Sequence, residues 1–286
     1  MLLSQWFQKY LDTLMPMYGR DEAMAISHLV FEDLVAVSRR ELLLYPQKEL
    51  ESEREEILRE ALLQLQKNTP AQYVTGRAWF HQMEFKVSPA VLIPRPETEE
   101  LVQEAIRYAR EQHANSLLDI GTGSGCIPIS IKKNLTSLQV TAMDISKDAL
   151  QLAAQNAAMH HCEVEWINSD FLNEDYWPGL PVYDILISNP PYIPISEKNS
   201  LDANVVGHEP QLALFVPNDD PLLFYKKIAA FAKQHLNING MVLMETHYLY
   251  ATDVAHHFSA AGYKATVKND LFGKPRMVLA THYHSQ

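Results

Sequence analysis

From residue 93 onward the chain repeats one pattern, a short apolar run rich in β-formers followed by a longer stretch with helical periodicity. The strand-like runs are SLLDI (116–120), LQVTAMD (138–144), EVEWIN (163–168), YDILISN (183–189), GMVLMET (240–246), YKATVKN (263–269) and RMVLATH (276–282). Helical patterns fall between most of them, near 96–113, 124–134, 146–159, 219–237 and 248–261. Alternation of this kind predicts an open α/β sheet with helices packed on both faces. No low-complexity tract or internal repeat offers another architecture.

The first seventy residues carry a different signal. Trp6, Phe7, Tyr10, Leu11 and Leu14 recur at helical spacing, as do Ile26, Leu29, Val30, Leu34 and Val37, and again Ile57, Leu58, Ala61, Leu62 and Leu65. Three apolar stripes need one another for burial, so this segment reads as a small helical bundle. The run ESEREE at 51–56 reads as a solvated helix face, with partner binding as the second reading. Between 68 and 88 the character changes: Pro70 and Gly76 punctuate the chain, and Trp79, Phe80, Phe85 and Val87 suit short strands. The predicted division is a helical domain over 1–70, a β-hairpin linker over 71–92 and the α/β domain over 93–286.

Within the α/β domain, Leu117-Leu118-Asp119-Ile120 runs directly into Gly121-Thr122-Gly123-Ser124-Gly125 and then an apolar helical stretch. Glycines at a strand-to-helix turn permit positive φ and let a ligand approach the backbone, so the loop reads as one wall of a nucleotide-type pocket. Its spacing departs from the dinucleotide fingerprint Gly-x-Gly-x-x-Gly, and a plain structural turn is the alternative. The next strand ends in Asp144, about twenty positions on, where a carboxylate can accept hydrogen bonds from ribose hydroxyls. The alternative for Asp144 is the capping region of the following helix, beside Ser146 and Asp148. Asp170 and Phe171, after the third strand, suit either an adenine's amino group and ring face or ordinary turn and core duties.

The fourth strand delivers Asn189-Pro190-Pro191-Tyr192 to the same sheet edge. Two prolines can simply end a strand. The tetrad also has a chemical logic: the Asn189 side-chain oxygen and the Pro190 carbonyl can accept the two hydrogens of a planar –NH₂ group. Prolines fix φ and lack N–H donors, which makes the acceptors rigid, and Tyr192 can lie over the target's flat face near an electron-poor sulfonium methyl. Holding both hydrogens turns a delocalised lone pair toward a methyl carbon, and the acceptors bind more strongly as positive charge grows on nitrogen. No general base is obligatory, because the methylated nitrogen loses its proton to water.

The sequence then resembles the HemK/PrmC family, the protein-(glutamine-N5) methyltransferases of peptide chain release factors. The resemblance runs over nearly the whole chain. It rests on Asn189-Pro190-Pro191-Tyr192-Ile193 and Gly121 to Gly125, on Thr69-Pro70-Ala71-Gln72-Tyr73-Val74-Thr75-Gly76, on Pro94-Arg95-Pro96-Glu97-Thr98-Glu99, and on His208-Glu209-Pro210 with Ala213-Leu214. It implies a Rossmann-like class I methyltransferase fold with a seven-stranded mixed sheet, binding S-adenosylmethionine and releasing S-adenosylhomocysteine. It implies a helical N-terminal domain that helps dock a release factor, whose Gly-Gly-Gln glutamine meets Asn189 and Pro190. The cofactor set is then Gly121, Thr122, Gly123, Ser124, Gly125, Asp144, Asp170, Phe171 and Asn189, and the catalytic set Asn189, Pro190, Pro191 and Tyr192. Arg95 and Glu97 are secondary substrate candidates near the active-site mouth; on the residues alone, a proline-bounded loop and a first-turn acid can equally just start a helix. The chain departs from the family at His247, where a glycine is common after Glu245-Thr246, and at Thr281-His282, where Gly-Arg often ends the last strand.

Composition bears on the rival readings. With 24 basic against 35 acidic residues the formal charge is −11, which disfavours non-specific attraction to a phosphate backbone. An adenine-N6 methyltransferase presents the same –NH₂ to the tetrad but needs a basic surface and base flipping. No stable nucleic-acid binding is therefore expected. A non-catalytic module that binds S-adenosylmethionine has no need of the intact tetrad, and an NAD-dependent oxidoreductase leaves the tetrad without a purpose. Cys126 and Cys162 read as core thiols, and His160-His161, His256-His257, His282 and His284 show no zinc pattern, so no metal is expected. The N-terminus lacks a leader's basic and apolar regions, and no run approaches the ~18 apolar residues of a membrane span. These absences predict a cytoplasmic protein without membrane attachment.

Overall fold

The N-terminal stripes are realised as helices: α1 (Leu3–Tyr18), α2 (Arg20–Val35), α3 (Arg39–Leu44), α4 (Ser52–Leu65) and α5 (Ala71–Thr75). The computed structural model describes residues 1–282, so His284 lies outside the described residues. Trp6, Tyr10 and Leu14 of α1 are buried with Leu58, Ala61, Leu62 and Leu65 of α4, and the Tyr10 hydroxyl donates to the Leu58 carbonyl at 2.6 Å. On α2 the buried face is Ala23, Ser27, Val30, Phe31 and Val35, so it shares Val30 with the stripe read from sequence and is centred to one side of it; Ile26, Leu29 and Leu34 pack against the same core, half-buried. Ala23 and Ser27 are too small to register as an apolar stripe, and the Ser27 hydroxyl donates to the Ala23 carbonyl at 2.7 Å. Val37 is buried beyond the helix end, after Ala36 turns left-handed at φ 53°.

The linker is shorter than expected. Residues 71–75 are helical, capped by Gly76 at φ 72°, and the hairpin is confined to β1 (Arg77–Phe80) and β2 (Met83–Lys86). His81 and Gln82 make the turn, both at positive φ (49° and 62°), without the Asn-Gly or Asp-Gly signal such turns usually carry. The His81 N–H donates to Glu99 Oε1 at 3.0 Å.

The α/β unit follows as α6 (Pro96–Gln112), β3 (Ser116–Ile120), α7 (Cys126–Asn134), β4 (Gln139–Asp144), α8 (Lys147–His160), β5 (Glu165–Asn168), β6 (Tyr183–Ser188) and β7 (Ile193–Pro194). After α9 (Ala203–His208) come α10 (Gln211–Leu214), β8 (Phe215–Val216), α11 (Leu223–His235), β9 (Leu236–Glu245), α12 (Ala251–Ala260), β10 (Tyr263–Asn269) and β11 (Pro275–His282). Seven strands form one mixed sheet in the order β10-β11-β9-β6-β3-β4-β5, with β11 antiparallel to both neighbours. This is the Rossmann-like α/β architecture expected for a class I methyltransferase. Leu118, Leu186, Val242 and Val278 face α11 and α12 through Ile228, Phe231, Val254 and Phe258. Leu117, Ile185, Ile187 and Leu243 face the opposite layer through Leu101, Val102, Ile129 and Ala157. Alternate residues of one strand thus feed two cores, which is why these strands read as continuous apolar runs.

One boundary moves. The helical pattern predicted to 237 ends at His235, and β9 begins at Leu236, which pairs with Tyr183 across a register shift. Asn237 Nδ2 donates to Asp184 Oδ1 at 2.6 Å, drawing a polar segment into the sheet that its hydropathy does not announce. The chain divides into two units: Met1–Arg77 with Asp202–His208, and Ala78–Leu201 with Glu209–Gln286. Residues 202–208 therefore join the helical unit, where His208 Nε2 lies 3.0 Å from the Lys67 carbonyl. Among the described residues, no helix is long and apolar enough to cross a membrane.

Candidate functional site

The chain runs from β3 to β4 and β5 on one side of the sheet, then returns to place β6 on the other side of β3. Loops leaving β3 and β6 therefore diverge and open a crevice at the carboxyl edge, where α/β sheets characteristically bind ligands. Parallel pairing brings Asp119 opposite Ile187, and the Ser188 hydroxyl donates to the Ile120 carbonyl at 2.7 Å. The glycine loop and the tetrad thus start side by side, although some 65 residues apart in sequence by a rough count.

A cavity of about 470 Å³ occupies this crevice. It is lined by Gly121, Thr122, Gly123, Ser124, Asp144, Asp170, Phe171, Asn189, Pro190, Pro191 and Arg95, together with apolar groups such as Val91, Ile127, Leu212 and Phe224. Gly125, Tyr192 and Glu97 are not among its lining residues. A wider groove of about 690 Å³ lies at the opposite edge, against Ser116, Gln139 and Tyr183 at the strand starts, and contains none of the predicted site residues.

The loop wall is built from backbone. Gly121, Gly123 and Gly125 all take positive φ, at 76°, 55° and 77°. A Cβ on Gly121 or Gly123 would point into open space, so their peptide faces are bare. A Cβ on Gly125 would sit 2.9 Å from Ile129 Cδ1 and 3.0 Å from Ala153 Cβ, so this glycine serves the close approach of α7 to α8. The Gly121 and Thr122 N–H groups donate to the Met143 carbonyl, joining the loop to the end of β4.

Asp144 belongs to the same framework. Its Oδ2 accepts from the Gly123 N–H at 2.8 Å and its Oδ1 from the Ser146 N–H at 2.9 Å, while Ser146 itself caps α8. Burial raises its carboxyl pKa, and the donors at Ser146, Gly123 and Ile145 oppose the rise. Each oxygen retains lone-pair capacity for a ligand hydroxyl. Asp170 accepts from the Leu172 N–H at 2.9 Å, a turn contact, and Phe171 packs against Trp177 and Phe231. Both the turn and core readings of this pair are thus realised at residues that also border the cavity.

Beneath the loop lies Asp119, wholly buried, with the Thr122 hydroxyl as its nearest polar neighbour but no hydrogen bond of good geometry among the described residues. Burial pushes its carboxyl up to about 7; the Thr122 hydroxyl works against the rise and the charge of Asp144 adds to it. The Thr122 and Ser124 hydroxyls are likewise buried, beside Asp119 and Cys126 respectively, without a hydrogen bond of good geometry. Polar capacity is concentrated under and within the glycine turn.

The tetrad wall is built from side chains. Asn189 Nδ2 donates to Thr98 Oγ1 at 3.1 Å, and the Thr98 hydroxyl donates to Glu245 Oε2 at 2.5 Å. Tyr192, expected over the target group, instead packs half-buried against the core beside the cavity, with its hydroxyl donated to Glu245 Oε1 at 3.2 Å. Its position follows from that buried acceptor, which the tetrad alone does not reveal. Glu245, at the end of β9, is fully buried, and burial raises its pKa. His247, the departure from family glycine, is buried with its ring 6.0 Å from that of Tyr192. On the cavity wall Arg95 Nη2 donates to both Glu209 oxygens, at 2.7 and 2.9 Å, and Glu209 is buried. Glu97 stands in the first turn of α6, whose first residue is Pro96, as its helix-start reading requires.

Thr98, Glu245 and Glu209 carried no role in the sequence reading, although all three lie within segments it singled out. Among the described residues, no group of three or more His, Cys, Asp or Glu is placed to hold a metal ion.

Comparison with known proteins adds independent findings. The family model "Methyltransferase small domain" matches residues 99–207, and the model "PrmC N-terminal domain" matches residues 5–76. The release factor glutamine methyltransferase of Bacteroides thetaiotaomicron is 39% identical over 269 residues, covering 94% of this chain and 96% of that protein. That of Lactococcus lactis is 42% identical over 224 residues, covering 78% and 81% respectively. Among solved structures, the hMettl16 catalytic domain in complex with MAT2A 3′UTR hairpin 6 aligns with a TM-score of 0.53, over 82% of this chain and 84% of that one. At 16% identity that likeness is one of fold.

Proposed function

The chain belongs to the release factor glutamine methyltransferase family, and from that premise we propose that it methylates the side-chain amide nitrogen, N5, of the Gly-Gly-Gln glutamine in peptide chain release factors, with S-adenosylmethionine as donor. The observation that carries this reading is the shared cavity: a bare glycine turn and Asp144 on one wall, Asn189, Pro190 and Pro191 on the other.

The residues suit that cofactor. Gly121 and Gly123 leave backbone uncovered, the buried hydroxyls of Thr122 and Ser124 have polar capacity to spare, and Asp144 can accept from ribose hydroxyls. Gly125 keeps the turn closed behind them, Asp170 and Phe171 border the space for the adenine, and Asn189 stands between cofactor and substrate spaces. When bound, the cofactor supplies an electrophilic methyl group and leaves as S-adenosylhomocysteine.

The protein's part is orientation. Asn189 Oδ1 and the Pro190 carbonyl accept the two amide hydrogens of the glutamine, while the Pro190-Pro191 pair restricts the loop. Held so, the nitrogen lone pair is turned out of conjugation toward the methyl carbon, and both acceptors strengthen as the nitrogen becomes positive. The surplus proton then leaves to water. Tyr192 backs this wall from the core side, and Arg95, fixed by Glu209, stands at the entrance with Glu97 nearby in the first turn of α6. The helical domain, residues 1–70 in the sequence division, docks the body of the release factor. A substrate of the translation apparatus suits a cytoplasmic enzyme.

The test is transfer of labelled methyl from S-adenosylmethionine to purified release factor, to its Gln→Ala variant in the Gly-Gly-Gln loop, and to DNA and RNA in parallel. Label on the release factor alone, lost in the variant, is expected. Label on nucleic acid instead would transfer the assignment to an adenine amino group.

A further inference from the structure

Asn189 presents a chemical ambiguity. Its amide is nearly symmetric in shape, but one end accepts hydrogen bonds and the other donates them. A site that must receive an –NH₂ group works with the oxygen inward and fails with the nitrogen inward, since two donors then face each other.

The surrounding hydrogen bonds resolve the ambiguity. Glu245 as a carboxylate has no proton to give, so the Thr98 hydroxyl donates its single proton to Glu245 Oε2 at 2.5 Å. Toward Asn189 that hydroxyl can then act as acceptor, and it takes Nδ2 at 3.1 Å. Oδ1 is left for the cavity that Asn189 lines. Glu245 is held on its other sides as well: Tyr192 donates to Oε1 at 3.2 Å, and the Tyr225 hydroxyl donates to its main-chain carbonyl at 3.1 Å.

We propose that Glu245 and Thr98 are positioning residues that set the polarity of the Asn189 amide, the carboxylate directing the Thr98 proton toward itself so that Oδ1 meets the substrate. This rests on the reading of the site as a receptor for a glutamine amide. If Glu245 gains a proton, it can donate to Thr98, whose own proton then turns to Asn189 and favours the flipped amide. The groups facing Glu245 are Glu97 and Thr98 on α6, Tyr192 after β6, Tyr225 on α11 and Arg276 on β11. Glu97 favours the protonated form and Arg276 the carboxylate. Burial is the largest influence and moves the exchange above the ordinary carboxylate range.

Thr98→Val preserves shape and removes the acceptor; Thr98→Ser restores it. Expected for Thr98→Val is a fall in kcat of roughly tenfold, the value of one well-made hydrogen bond, with cofactor affinity unchanged and recovery in Thr98→Ser. The acid limb of the wild-type kcat–pH profile should disappear in Glu245→Gln. Unchanged kcat in Thr98→Val, or a loss that serine does not restore, overturns the proposal. Should Glu245→Gln fail to fold, the Thr98 pair decides the matter.

A second readout does not depend on turnover. The side-chain ¹⁵NH₂ signal of Asn189 in the ligand-free protein should shift with pH in the wild type and lose that dependence in Thr98→Val. No methyl transfer by the wild type to release-factor glutamine would defeat the functional reading, while this signal would still judge the relay. A pH-independent signal in the wild type would defeat the relay even if methylation stands.

Discussion

The two walls of the cavity are made in different ways. The glycine wall is largely backbone, and its turn is tied within residues 121–146, Gly121 and Thr122 to Met143, Gly123 to Asp144 and Ser146 to Asp144, with Asn156 and Asn168 bracing Ser124, Asp144 and Ile145 from outside. The tetrad wall is a relay of side chains drawn from three distant places, Asn189, Thr98 and Glu245. A backbone wall tolerates substitutions that leave φ alone, whereas a relay fails when any link changes its donor or acceptor character.

The strongest way to break the contrast is Asn189→Ala, which should lower kcat on the order of 10²–10³-fold, the usual cost of removing a preorganised polar group, while circular dichroism and melting stay near wild type. Smaller losses would mean that the tetrad backbone alone can hold the amide.

Beneath the opposite wall, Asp119→Asn should raise stability at pH 8 by a few kcal/mol, each unit of pKa shift being worth about 1.4 kcal/mol. The sign follows from a carboxyl raised to about 7 from an ordinary 3.8. Its penalty is absent below the unfolded value, grows as pH rises between the two, and is complete above the folded value. Urea midpoints at pH 4 and pH 8 test this, and an advantage of the variant that does not widen with pH would refute it.

Gly125→Ala should cost about 1–3 kcal/mol of stability through its left-handed backbone at φ 77° and the contacts with Ile129 and Ala153, measurable as a lower denaturant midpoint. Smallest is Asp144→Ala, with cofactor affinity reduced roughly tenfold, as for one charge-assisted hydrogen bond. Calorimetry showing unchanged affinity would leave Asp144 a purely structural brace of the glycine loop.

The same contrast explains what was legible beforehand. Gly121 to Gly125 and Asp144 announce themselves because their geometry is enforced locally, by residue types that suit a turn and a strand end. The edge strands β5 and β10 are partly exposed and showed only as β-forming residues between helical patterns. The inner strands β3, β6 and β9 were legible because they run buried between two layers and read as apolar stretches. Thr98 and Glu245 were not, since nothing in a threonine on a helix or a glutamate after a strand declares which buried atom it will meet. The partner of the Tyr192 hydroxyl was hidden for the same reason: it is an acceptor 53 positions away. The hairpin was foreseen, but its extent was not, because His81 and Gln82 turn it without glycine or asparagine. The buried face of α2 was only partly legible, through Val30, because its packing also uses an alanine and a serine, which hydropathy undervalues.

The division of the chain has a consequence for biosynthesis. Residues 202–208 belong to the helical unit, though the rest of that unit ends at Arg77. As the polypeptide emerges from the ribosome, the amino-terminal unit must wait for the tetrad and the turn beyond it before its last piece arrives. The first unit is therefore completed only after the long first stretch of the second, Ala78–Leu201, has been made, and a nascent chain halted before residue 202 carries an unfinished first unit.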